Sequence, residues 1–244
     1  MTRTASTGMR GGRSGPHRAR FWIVFLAAIL AILVGLDFAA RAVAESVLAN
    51  KIQQQGLQHR PDVTIEGFPF LTQLASRNFQ QVNINASNQV EGSVTITKIN
   101  GTARNIHVNS FAFSSGTIGK VSGSALISFG SLANTLVHQV GPLGSLLGGA
   151  GLKLEPAGPT KVRARLNLLV TSGSATWSVT QLSGNRLRVQ LVSSNGLPTS
   201  LLGSIQNIVL QIPKLPLGLT ITSVRVTPAG VVGKVSSRNV PFGS

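Results

Sequence analysis

The chain has 244 residues, 42% of them hydrophobic and 11% charged, which is too apolar and too charge-poor for a disordered protein. Lys and Arg number 22 against 6 Asp and Glu, a formal net charge of +16. Cysteine is absent, which excludes a disulfide scaffold, a Cys-type zinc site, an iron–sulfur cluster and a cysteine nucleophile.

Residues 1–20 carry Arg3, Arg10, Arg13, Arg18 and Arg20 and no acid, among Gly, Ser and Thr, and are expected to form a disordered basic tail. Phe21–Leu36 then runs 16 residues without a charge, Asp37 interrupts, and Phe38–Ala40 extends the stretch to 20 residues. About 20 apolar residues cross the hydrocarbon core of a bilayer as a helix, so 21–40 is predicted to be a transmembrane signal anchor. A basic segment followed by an apolar run also describes a signal peptide, and Ala42-Val43-Ala44 offers a small-x-small cleavage site. Cleavage and export is therefore the minor alternative. The positive-inside rule puts the Arg-rich end in the cytoplasm and residues 41–244 in an extracytoplasmic domain, a periplasm-like space of the cell envelope.

Residues 41–57 read as an amphipathic helix, with Ala44, Leu48 and Ile52 repeating at i+4 and Gly56 as a stop. Beyond Pro61, short alternating segments dominate. Val63–Ile65 and Val82–Ala86 alternate, and Val94–Ile96 and Ile106–Val108 flank Asn100-Gly101, a hairpin-turn signal. Ser131 is a candidate N-cap for a second helix carrying Leu132, Leu136, Val137 and Val140 on one stripe and ended by Pro142. Residues 141–151 hold five glycines and read as an apolar loop. Val162, Ala164, Leu166, Leu168 and Val170 share one face of a nine-residue strand. Ser172-Gly173 and Ser183-Gly184-Asn185 set it off from strands at 175–182 and at Leu187, Val189 and Leu191. Leu219 with Ile221, Val224 with Val226, and Val231–Val235 after Pro228-Ala229-Gly230 complete the set. Hairpin spacings make the sheet mostly antiparallel. The predicted class is α+β: a transmembrane helix, then a long helix packed against one long, curled, mostly antiparallel sheet, with a second, shorter helix.

Catalytic chemistry has little to work with. The carboxylates after residue 41 are Glu45, Asp62, Glu66, Glu91 and Glu155, and only Asp62 and Glu66 are close in sequence. His59, His107 and His138 are isolated from one another and from acids at ligand spacing, so no metal site is predicted. A Gly-x-Ser-x-Gly elbow, a Ser-x-x-Lys pair, a P-loop and a dinucleotide fingerprint are all missing. The chain is read as non-enzymatic and free of cofactors. Residues 41–244 carry seventeen basic and five acidic side chains, net +12. Nucleic acid is not the expected partner, because there is no Tyr and no basic–aromatic interleaving. An extracytoplasmic basic domain beside a bilayer faces anionic lipid headgroups or anionic wall polymers instead, or is simply a solvated surface.

One stretch is distinctive. Asp62-Val-Thr-Ile-Glu-Gly67-Phe68-Pro69-Phe70-Leu71 resembles the LmeA-like phospholipid-binding family of actinobacterial envelopes, whose hallmark is a strand ending in Gly-Phe-Pro-Phe-Leu. Supporting matches are Ala44-Glu45 and Leu48-Ala49 in an opening helix, Ala125–Leu136 as strand then helix, and the closing segments Leu215–Leu219 and Val224–Gly230. The resemblance covers about 40–240. Arg77-Asn78 departs from the pattern, where a Gly is usual before the next strand.

The resemblance implies a TULIP-like tubular fold, in which a long helix packs inside a curled sheet and leaves an apolar groove for acyl chains. It implies phospholipid as ligand, the cytoplasmic membrane as a second partner and an envelope-biosynthesis enzyme as a third candidate. Candidate groove residues are Leu48, Ile52, Phe68, Phe70, Leu74, Val82, Ile84, Leu136, Leu166, Leu168 and Ile221. The bland reading of each is plain core. Arg163 and Arg165 alternate with apolar residues on one strand, and Arg186 and Arg188 on another, so the four are candidates for an anionic-headgroup face. The alternative function is a structural or interaction protein that uses this basic face to hold anionic wall glycans or a membrane enzyme.

Overall fold

In the computed structural model of the chain, residues 16–54, 57–91, 94–139, 152–167, 172–183, 185–196, 207–211 and 215–243 are described. A single helix, α1 (Pro16–Gln54), opens the fold. Pro16 sits at its first position, where the missing N–H costs nothing. The sequence suggested an anchor at 21–40 and a separate helix at 41–57. No proline or glycine pair divides them, and the two run on as one 39-residue element. The helix also takes in 16–20, which the sequence assigned to the tail.

The two halves of α1 meet different surroundings. Ile23, Val24, Leu26, Leu30, Leu33 and Leu36 are exposed on all sides, and by length and composition this helix can cross a membrane. Ala40, Ala44, Leu48 and Ile52 instead repeat every four residues and pack, with buried Ala49, against the sheet that follows.

Among the described residues, eleven strands and two further α-helices follow, with a 3-10 turn at Pro216–Gly218: β1 (Asp62–Glu66), α2 (Phe70–Ser76), β2 (Asn78–Glu91), β3 (Val94–Val108), β4 (Gly116–Ser128), α3 (Phe129–Gln139), β5 (Lys153–Pro156), β6 (Lys161–Asn167), β7 (Ser172–Leu182), β8 (Arg186–Asn195), β9 (Asn207–Gln211), β10 (Thr220–Thr227) and β11 (Gly230–Phe242). All described pairings are antiparallel. The expected single sheet is two: a six-stranded one in the order β1-β2-β3-β4-β11-β10, and a five-stranded one in the order β5-β6-β7-β8-β9. A backbone bond from Val226 N–H on β10 to Pro159 O in the β5–β6 loop, 2.8 Å, joins them. So do bonds from Ile221 N–H to Asn185 Oδ1 (2.9 Å) and from Gln181 Nε2 to Ile221 O.

Two local expectations are corrected, and a third lies partly outside the described residues. Asn100-Gly101 is not a turn but the middle of β3, paired with Asn85 and Ile84 on one side and with Ser124 and Gly123 on the other. Pairing along both edges outweighs a local turn preference, and the Gly101–Gly123 pair thins the sheet at its centre, where glycine favours a bend. The cap of α3 is Ser128, whose Oγ accepts the Ser131 N–H at 3.1 Å, three residues before the expected Ser131. The nine-residue strand is described only to Asn167, and 168–171 and 140–151, which include Pro142 and the glycine-rich loop, lie outside the described residues.

Candidate functional site

The Gly67–Leu71 stretch joins β1 to α2. Gly67 has φ +101°, and a Cβ there would lie 2.7 Å from Gln73 Nε2, so only glycine fits without displacement. The Phe68–Pro69 peptide is cis. Pro69 is the N-cap residue of α2 and supplies no capping side chain. The cap comes instead from α1. Asp37 Oδ2 accepts the Phe70 N–H at 2.9 Å and Oδ1 accepts the Leu71 N–H at 2.7 Å, in a buried setting. The one acid in the apolar stretch is thus a clamp for the motif. Gln73, also buried, donates to Glu66 O (3.2 Å) and accepts the Gln80 N–H (3.0 Å), tying the ends of β1 and β2 to α2. At the far end, Arg77 is the C-cap with φ 57°. This is the left-handed position that glycine usually fills, and here Arg77 fills it. Further along α1, Glu45 Oε1 accepts the β1 N–H of Ile65 (2.8 Å) and pairs with Arg41 at 2.9 Å.

The two phenylalanines of the motif part company. Phe70 is fully buried, with its ring 6.1 Å from Phe79, which in turn lies 5.3 Å from Phe113. Phe68 is 62% exposed and lies on the outside, its ring 6.3 Å from that of Phe38 on α1. Leu71 and Phe38 are exposed as well.

Of the candidate groove residues, Phe70, Val82, Leu48, Ile52, Leu74 and Ile84 come together in one core cluster between α1, α2 and the first sheet. Leu166 belongs to a second, smaller cluster with Ala175, Trp177 and Leu191. Ile221 is half-buried on β10. Leu168 and the side chain of Leu136 lie outside the described residues. Two open depressions lie among the described residues. One, about 340 Å³, is lined by Arg163, Arg165, Ser172, Gly173, Ser174 and Asn195. The other, about 300 Å³, lies beside Glu45, Arg60 and Asp62.

Register sorts the second sheet into two faces, because directly opposed residues project the same way. Arg163 opposes Thr176, Arg165 opposes Ser174, Arg188 opposes Thr180 and Arg186 opposes Leu182, all even positions of β7. The four Arg therefore share a face. Lys161, opposite Ser178, and Lys153, opposite Arg165, join them. The one acid on the described part of this face, Glu155, lies 2.7 Å from Arg165 and 3.6 Å from Arg163. The opposite face carries Val162, Trp177 and Leu191 in one row, Ala164 and Ala175 in the next, and Val179 with Val189. Only Ala164 and Ala175 of these are buried.

Sequence reasoning missed the Asp37 clamp, α2, and Lys153 and Lys161 of the basic face. The two Lys positions carried a signal, since Lys161 is two residues before Arg163 on the same alternation. Among the described residues no group of three or more His, Asp or Glu stands close enough to hold a metal.

Comparison with known proteins places these features in a family. Residues 35–236 match the family model described as LmeA-like phospholipid-binding, a span that takes in the Asp37 clamp, the motif, the second sheet and all of the first but the end of β11. The chain is also 24% identical over 231 residues to uncharacterized proteins of Mycobacterium bovis and Mycobacterium tuberculosis, covering 91% of this chain and 64% of each relative. The chain thus spans just under two thirds of the length of these curated relatives. No solved structure matches. With a family model matched over most of its length, the chain belongs to the LmeA-like phospholipid-binding family.

Proposed function

We propose that the chain is a non-catalytic phospholipid-binding protein of the cell envelope, held to the cytoplasmic membrane by the apolar half of α1 with its N-terminus in the cytoplasm. The observation that carries the reading is the half-open apolar face of the second sheet. Val162, Leu166, Trp177, Val179, Leu187, Val189 and Leu191 are only half-buried, although they lie on the face where a sheet ordinarily packs its core. An acyl chain laid along them removes apolar surface from water at about 25 cal/mol per Å². The cations on the reverse face, with the open depression at Arg163 and Arg165, point away from this seat and meet headgroups of the adjoining bilayer rather than that of the seated lipid. The core cluster around Phe70 then serves as the frame that holds α1, and Leu166 is the candidate groove residue in direct contact with the lipid face.

The test is photo-crosslinking of the full chain in proteoliposomes with a phospholipid carrying a diazirine in its acyl chain. Adducts within 162–191 are expected, and their loss in Trp177→Glu, which puts a charge on the apolar face. Adducts confined to α1 overturn the seat. A second reading, a basic face that holds anionic wall glycans or a membrane enzyme, draws on the same six cations. It is favoured if the chain binds anionic polysaccharide and yields no adducts in the second sheet.

A further inference from the structure

The exposed apolar groups of the motif call for an occupant, and their place in the fold names it. Asp37 is the last charge-bearing position before α1 becomes wholly apolar toward its N-terminus, as far back as Arg20. Arg20 and Arg41 are separated along the helix by about 31 Å, close to the thickness of a hydrocarbon core of about 30 Å. Asp37 lies one turn inside Arg41, at the rim of that span. The motif is fixed to this level by the two bonds from Phe70 and Leu71 to Asp37, and by the ring contact between Phe68 and Phe38. Phe68 (62% exposed), Phe38 (57%) and Leu71 (37%) therefore present an apolar patch at the level where the exposed apolar run of α1 begins.

Such a patch on a water-facing surface marks an interaction site. Water is a poor occupant here, and a separate protein would have to meet the bilayer as well, since the patch ends on the helix surface that faces lipid. We propose that the Gly67–Leu71 loop, with Phe38, is a second membrane contact of this chain: a shallow insertion into the leaflet on the domain side, beside the point where α1 leaves the bilayer. This rests on the reading that α1 spans the membrane. The division of labour within the motif follows. Phe70 points inward and holds the loop to the sheet, Phe68 and Leu71 point outward into lipid, and Asp37 keeps the amides between them from being exposed to hydrocarbon without a partner. The insertion fixes the domain on two points, which sets its rotation about the α1 axis as well as its height.

The absence of cysteine makes the test direct. Single-cysteine variants Phe68→Cys, Leu71→Cys, Lys98→Cys and Ala28→Cys of the full chain are labelled with an environment-sensitive fluorophore. They are then reconstituted in vesicles of phosphatidylcholine and phosphatidylglycerol containing lipids spin-labelled near the headgroup or deep in the acyl chain. Lys98 is an exposed position on β3, paired with Ser87 well along β2 from the motif, and reports the aqueous level. Ala28 reports the span itself. Quenching of the labels at positions 68 and 71 by the shallow spin label, several-fold above the Lys98→Cys level, is the expected result. Quenching at neither or only one of them, with Ala28→Cys quenched by the deep label, overturns the inference and leaves the anchor intact. No quenching of Ala28→Cys overturns the spanning reading, and this inference with it.

Discussion

Asp37→Ala is the sharpest perturbation of the motif. The substitution leaves the N–H groups of Phe70 and Leu71 without their acceptor at the start of α2, where Pro69 can offer no substitute. Hydrogen bonds to a charged group contribute about 1.5–3 kcal/mol each, and loss of an ordinary N-cap costs about 0.5–2 kcal/mol. Removing a carboxylate from an apolar helix works the other way, because a buried charge is itself costly. A net loss of about 2–3 kcal/mol follows. At about 2–4 °C per kcal/mol for a domain of this size, that is a fall in Tm of roughly 4–12 °C. Asp37→Asn keeps one carbonyl acceptor and is expected to lose about half as much. Thermal unfolding of the full chain in detergent micelles measures the global effect. Hydrogen exchange of the peptide covering 67–76 measures the local one, and is unaffected by any gain along the bilayer-facing part of α1. Unchanged exchange of Phe70 and Leu71 in Asp37→Ala would refute the clamp, whatever the Tm does.

Two backbone positions predict changes of opposite sign. Gly67→Ala is destabilising by about 1 kcal/mol or more, from positive φ and the collision with Gln73, whereas Arg77→Gly trades relief of a left-handed residue, about 1–2 kcal/mol, against a freer unfolded chain and the lost donation from Arg77 Nη1 to Asn109 O, for a net gain below about 1 kcal/mol; denaturant midpoints of the two variants read both. For the basic face, changing Arg163, Arg165, Arg186 and Arg188 together to Gln is expected to weaken co-sedimentation with anionic vesicles at low salt, at about 1 kcal/mol per cation near the surface. The difference from the parent chain should vanish near 1 M salt, where the Debye length is about 3 Å. Equal binding at low salt removes this face as the headgroup dock.

Much of the strand content was legible because alternation is a local signal. Val63–Ile65, the row Val162, Ala164 and Leu166, and the pair Val224 and Val226 all lie in strands. The break into two sheets was not legible. Hairpin spacing says which strands are neighbours in sequence, and β10 and β11 join the first sheet only by pairing back to β4 across about 100 residues. Asn100-Gly101 misled for the same reason: its turn preference is local, and the pairing with β2 and β4 that overrides it is not. At the motif, Phe68 and Phe70 are two apart and would share a face on a strand. A helix of only seven residues begins at Phe70, too short to declare a period, and sends the two rings to opposite environments. Asp37 looked like a flaw in an apolar run because its partners lie 33 and 34 residues further on.

The unbroken course of α1 has a mechanical consequence on the proposed topology. An anchor joined by a flexible linker lets its domain roam, but 39 helical residues without a hinge make a strut about 58 Å long. The stretch from Arg41 to Gln54 is part of the same rod that crosses the lipid, and it is bonded to β1 through Glu45. The height of the domain is then a readout of bilayer thickness. A thicker membrane draws Arg41 and Glu45 toward the hydrocarbon, or forces the rod to tilt, at a cost of fractions of a kcal/mol per Å of mismatch. Either response moves the edge strand and the motif together. The domain would thus sample lipid only from the patch of leaflet at its foot, and would favour membrane regions whose thickness matches its anchor.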